Sequence, residues 1–95
     1  MGRIADILQA RGQLDDALNI RQTEQLPVYE KLGDVRSKAV TMGKIATLLW
    51  AKNPKEHRER IRDLLCQAQQ DFRRMRLPEA DSIQKYLDDY ELSCD

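Results

Sequence analysis

Chemistry in this chain would have to start from very few side chains. The one histidine, His57, stands between Lys55-Glu56 and Arg58-Glu59. Without a second histidine it has no partner for a metal site of ordinary spacing, and its charged neighbours predict a solvated imidazole in a first helical turn. The two cysteines, Cys66 and Cys94, have neither CxxC spacing nor the density of a secreted disulfide scaffold. Reduced thiols are expected, with Cys66 in the core among apolar helical positions and Cys94 in a mobile tail. Arg73, Arg74 and Arg76 form a basic cluster, but cations are favoured at a helix C-terminus by its dipole whatever the function. No phosphate-binding glycine loop, dinucleotide fingerprint, calcium loop or nucleophile elbow is present. These residues predict no enzyme, no bound metal and no cofactor.

The elements that would position such residues follow from size and composition. Ninety-five residues with 41% hydrophobic content suit one domain, too small to enclose a spacious substrate cavity. With 34% charged and 5% aromatic residues, charged-faced helices are favoured over stacked strands, and an all-α fold is expected. Sixteen basic residues balance 16 acidic ones, which leaves no overall field to draw the chain to nucleic acid or an anionic membrane. The N-terminus has no apolar leader core, and no stretch approaches the roughly 20 apolar residues of a membrane span. With reduced thiols assumed, the expected location is cytoplasmic.

The strongest signal is internal repetition. Met1-Gly2-Arg3-Ile4-Ala5-Asp6-Ile7-Leu8-Gln9-Ala10-Arg11 aligns without gaps on Met42-Gly43-Lys44-Ile45-Ala46-Thr47-Leu48-Leu49-Trp50-Ala51-Lys52, with six identities and three conservative exchanges. A second match sets Val28-Tyr29-Glu30-Lys31-Leu32-Gly33 against Asp71-Phe72-Arg73-Arg74-Met75-Arg76 at nearly the same offset.

Local signals divide the repeats into about five helices, near 1–11, 14–32, 34–52, 54–75 and 78–91. Gly12 and Gly33 suit left-handed closing positions, and Asp34 is a good N-cap for the next helix. Asn53, Pro54 and Glu56 make a capping box with proline in the first turn, and Pro78 opens the last helix. Apolar residues recur at spacings of three and four, as in Leu14, Ala17 and Leu18, in Val35, Ala39, Met42, Ala46 and Leu49, and in Ile61, Leu64, Leu65, Ala68, Phe72 and Met75. Pro27 breaks the pattern and predicts a kink or break around Gln25-Leu26.

The segment Ala5 to Leu18 resembles the heart of a tetratricopeptide repeat, with Ala5, Gly12, Leu14 and Ala17 at the family's small, glycine, large apolar and alanine positions. The second copy keeps Ala46 but has Asn53, Lys55 and Arg58 at the other three, and the helices are longer than those of the minimal repeat. The resemblance covers about residues 1–76 and looks like a longer-period, bacterial-style variant. It implies antiparallel helix pairs stacked into a solenoid, repeat 1 at about 1–33 and repeat 2 at about 34–76. Residues 78–91 would be a capping helix showing water Asp81, Lys85, Asp88, Asp89 and Glu91, and residues 92–95 a tail.

By the same resemblance, a groove for a partner peptide or helix would be lined by Arg3, Asp6 and Gln9 of the first helix and Lys44, Thr47 and Trp50 of the third. Trp50 is either an interface anchor or a packing residue. The family's carboxylate clamp is missing, because its positions hold Gly2, Asp6 and Gly43, with only Lys44 basic. The first helix is about two turns shorter than the third, and this leaves an apolar edge at Leu26, Val28 and Tyr29 through which the chain is expected to self-associate. The function expected is a protein-interaction module or scaffold. The alternative is a regulatory fragment of a larger multidomain signalling protein.

Overall fold

The computed structural model describes residues 14–94, and these are all-helical with no strand among them. The elements are α1 (Leu14–Ile20), a π-helical turn (Arg21–Gln25), α2 (Leu26–Leu32), α3 (Val35–Lys52), α4 (Arg58–Arg74) and α5 (Glu79–Asp89). The helix expected at 1–11, with Gly12, lies outside the described residues.

α1, the π turn and α2 run on as one long helix, so Pro27 does not break it. Pro27 is the second residue of α2, and an uninterrupted α-helix would press its ring against the carbonyl four residues back. The chain widens by one residue just upstream, and the backbone N–H of Leu26 reaches the carbonyl of Arg21 instead. The expected kink at Gln25-Leu26 is thus a change of helix type at that junction.

Gly33 ends α2 at φ 69°, and the N–H of Asp34 returns to the Tyr29 carbonyl at 3.0 Å. The Asp34 carboxylate then accepts from the Ser37 N–H at 3.1 Å and starts α3. α4 ends in the same way: Arg76 has φ 57°, and the Leu77 N–H reaches the Phe72 carbonyl at 2.9 Å. Gly33 and Arg76, Tyr29 and Phe72 therefore hold equivalent places, as the second sequence match requires. Asn53 and Glu56 form the reciprocal capping pair, Glu56 N–H to Asn53 Oδ1 at 3.1 Å and Asn53 Nδ2 to Glu56 Oε2 at 3.2 Å. Residues 54–57 form turns, and α4 begins at Arg58, later than expected.

Cross-helix contacts fix the topology. Lys52 at the end of α3 meets Asp15 at the start of α1 at 2.8 Å, and Lys38 near the start of α3 approaches Glu30 in α2 at 3.9 Å, so α3 is antiparallel to the first long helix. Gln69 donates to Gln84 at 2.7 Å and Arg58 to the Glu91 carbonyl at 3.0 Å, so α4 and α5 are antiparallel. Between α3 and α5 the partners rise together: Arg36 pairs with Glu79, Gly43 faces Ile83 and Trp50 stacks on Tyr90. These two helices run parallel, displaced by 40 to 43 residues. α3 and α5 form one layer, and the first long helix and α4 form the other, joined by Arg60 to Gln22 at 3.0 Å. The described residues measure 32 × 32 × 18 Å, and the thin dimension is about that of two helix diameters.

Ala17, Ala39, Ile45, Ala46, Leu48, Ile61, Leu65, Ala68, Phe72 and Leu87 fill the space between the layers. A fully buried Leu, Ile or Phe in such a core contributes roughly 1.5–3 kcal/mol. On α5, Ala80, Ile83 and Leu87 are buried while Asp81, Lys85, Asp88 and Asp89, and Glu91 just beyond its end, are exposed, the polar outer face expected there.

The cysteines require a correction. Cys66 and Cys94 form a disulfide, with Cα atoms 5.6 Å apart, in place of the reduced core thiol and mobile tail expected. Antiparallel packing of α4 and α5 returns Cys94 to the middle of α4. Leu92 is buried beside it, its N–H on the Leu87 carbonyl at 2.8 Å.

Candidate functional site

The layer made by α3 and α5 has a shallow cleft along its seam, of about 160 Å³, lined chiefly by apolar groups. Val40, Gly43 and Thr47 contribute from α3, Ile83 and Tyr86 from α5, and Phe72 from α4. Residues 40, 43 and 47 share one face of α3, and 79, 83 and 86 share one face of α5, because each set recurs at three or four residues. Gly43 sets the spacing of the seam, since a Cβ there would stand 3.3 Å from Ile83 Cδ1. A mid-helix glycine costs roughly 0.5–1 kcal/mol relative to alanine, and here it permits the close approach.

Lys44 and Glu79 also line the cleft, both half-buried, and Glu79 is held by Arg36 at 3.3 Å. Thr47 donates its hydroxyl to the Lys44 carbonyl at 2.9 Å. Tyr86 is 40% exposed, a large amphipathic ring where a partner could reach it. Its neighbour Tyr90 lies 5.9 Å away and stacks on Trp50 with ring centroids 3.9 Å apart and planes 8° from parallel. Burial raises the Tyr90 phenol above its ordinary value, with Tyr86 and Asp89 adding to the effect.

Of the groove residues expected from sequence, Lys44 and Thr47 come together at this cleft. Trp50 lies further along the same layer and serves packing against Tyr90. Arg3, Asp6 and Gln9 lie outside the described residues. Of the expected edge, Leu26 packs against the core, Tyr29 is half-buried and Val28 is 37% exposed. The exposed apolar patch continues through Leu32 and Val35, which are 72% and 43% exposed. Sequence reasoning did not place Val40, Ile83 and Tyr86 at the cleft. Val40 sits four residues before Lys44 on the same face and was open to that reading, whereas Ile83 and Tyr86 depend on how α5 docks.

His57 is half-buried at the N-cap of α4 rather than fully solvated. Among the described residues, no group of three or more His, Cys, Asp or Glu side chains is placed to hold a metal ion, and no helix is long and apolar enough to cross a membrane. Arg73, Arg74 and Arg76 are exposed, and Arg74 lies 3.8 Å from Asp71. Comparison with protein-family models, curated proteins and solved structures found no match to this chain.

Proposed function

We propose that the chain is a tetratricopeptide-like interaction module that takes a partner peptide or helix on the layer formed by α3 and α5. The observation that carries this reading is the parallel pairing of α3 and α5 at an offset of about 40 residues, with an apolar cleft between them. An offset close to that of the sequence repeat makes α5 the first helix of a third unit as well as a cap. In a stack of helix pairs, such first helices share one face, and that face receives ligands. The cleft is close in volume to a 150 Å³ cavity able to hold benzene, so it suits one aliphatic or phenyl side chain of a docking segment.

Selection of binders from a random peptide library tests the reading. Retained peptides should share one large apolar residue and bind the Tyr86→Ala and Gly43→Leu variants at least tenfold more weakly. Peptides indifferent to both variants would overturn the assignment.

Self-association belongs to the same proposal, supported by the exposed Val28, Leu32 and Val35. A Leu32→Lys variant should sediment as a smaller species than the wild type, and a wild type that stays monomeric across micromolar concentrations would remove this part. The expected cytoplasmic location rested on reduced thiols together with the lack of an apolar leader or span, and the Cys66–Cys94 bond takes away the first support, since such bonds persist in oxidising surroundings.

A further inference from the structure

A second cleft, of about 130 Å³, opens between the π turn and the first half of α3. Its polar lining is rich in groups that can donate hydrogen bonds: the Arg21, Arg36 and Lys44 cations, the Tyr29, Ser37 and Thr41 hydroxyls and the Gln25 amide. Among the described residues none that lines it is acidic. Arg21 and Gln25 are each only 1% exposed. They continue the inward stripe of Leu14, Ala17 and Leu18 by steps of three and four, so the long helix carries polar side chains where its pattern calls for apolar ones.

The Gln25 amide has one possible orientation. Arg21 Nη1 donates to Gln25 Oε1 at 3.1 Å, and a guanidinium has no acceptor to offer an NH2 group. The amide oxygen must therefore face Arg21, and Nε2 is turned away. That nitrogen is buried and has no hydrogen-bond acceptor among the described residues, a rare and unfavourable condition for a buried donor. π turns concentrate at functional sites, and this one carries both Arg21 and Gln25.

We propose that this cleft is a binding site for a small oxyanion, a carboxylate or phosphate group, which accepts from Gln25 Nε2 and is held by the surrounding cations and hydroxyls. At about 130 Å³ the cleft is far above the ~10–15 Å³ that holds one water, and it has room for a carboxylate or phosphate group. Arg36 also holds Glu79, a residue of the α3–α5 cleft, and Lys44 lines both clefts. The site stands on the Gln25 geometry and does not depend on the peptide-docking reading.

The test is an NMR titration of the wild-type protein with sodium acetate, with sodium phosphate and, at matched ionic strength, with sodium chloride, reading the Gln25 side-chain NH2 resonance. A saturable downfield shift with acetate or phosphate, absent with chloride, is the expected result, and the stronger of the two arms identifies the oxyanion. Gln25→Met should abolish the saturable response, and Arg36→Gln should weaken it roughly tenfold. A response equal to that of chloride, or one that saturates without moving Gln25, would overturn the proposal. The wild-type titration decides the matter even if Gln25→Met does not fold.

Discussion

Replacing both cysteines, Cys66→Ser with Cys94→Ser, should remove a large part of this domain's stability. The bond joins positions 28 residues apart, and everything from the second half of α4 through α5 lies inside the loop it closes. In the chain-entropy model a loop of that length constrains the unfolded state by about 3.5 kcal/mol at 25 °C. The native side supports a figure of this order. α5 has 11 residues, fewer than the ~12–15 an isolated helix needs in water, so it stays helical only while docked through Ala80, Ile83, Leu87 and Leu92. Urea denaturation of the oxidised protein, the reduced protein and the double serine variant should show the last two alike and both less stable by about 3.5 kcal/mol, with the midpoint of thermal unfolding lower by roughly 15–25 °C. Native-state hydrogen exchange should locate the effect: α5 amides lose up to about 300-fold protection and open before those of α3. A loss below about 1 kcal/mol, or α5 amides that keep their protection, would refute the claim that the bond holds this helix in place.

Three further outcomes follow from the helix ends and the aromatic stack. Beyond its chain neighbours, no described atom lies within 4 Å of where a Cβ on Gly33 would stand, so Gly33→Ala should destabilise by about 1 kcal/mol through backbone strain alone, whereas Arg76→Gly, at φ 57°, should stabilise by about 0.5–1 kcal/mol in the same denaturation assay. The backbone N–H of Ser37, helped by its side chain and by Arg36, lowers the Asp34 carboxyl below its ordinary value. A lowered acid supports folding above its unfolded-state pKa of ~3.9 and loses that support as pH falls through the lower folded value. Asp34→Ala should therefore lower the melting temperature more at neutral pH than in strong acid, where the protonated carboxyl caps more weakly, and an equal deficit at both pH values would contradict this. Trp50→Ala should cost about 2 kcal/mol and bring the Tyr90 phenol back toward ~10 in a tyrosinate absorbance titration.

Features that depend on residues three or four apart were legible in the sequence. The Gly33-Asp34 junction, the Asn53–Glu56 pair and the inward stripes are local, and the matching ends of α2 and α4 followed from the alignment of 28–33 with 71–76. Features that depend on how helices dock were not legible. Nothing about Cys66 or Cys94 alone shows that α5 turns the chain back onto α4, and Trp50 meets Tyr90 only because α3 and α5 run parallel in one register. Pro27 marked the correct place but not the remedy, since a proline can be met by a kink or by one widened turn. Arg21 and Gln25 could have been noticed, because they extend an apolar stripe, but a composition-led reading sends charged side chains to the surface.

On the proposed reading, α3 and α5 present one docking face. The most direct measurement is an amide chemical-shift map of the 15N-labelled protein with a library-selected peptide. Shifts are expected at Val40, Gly43, Thr47, Ile83 and Tyr86, with α1 and the outer face of α4 unmoved. Shifts centred on the layer of α1 and α4, with these five still, would contradict it.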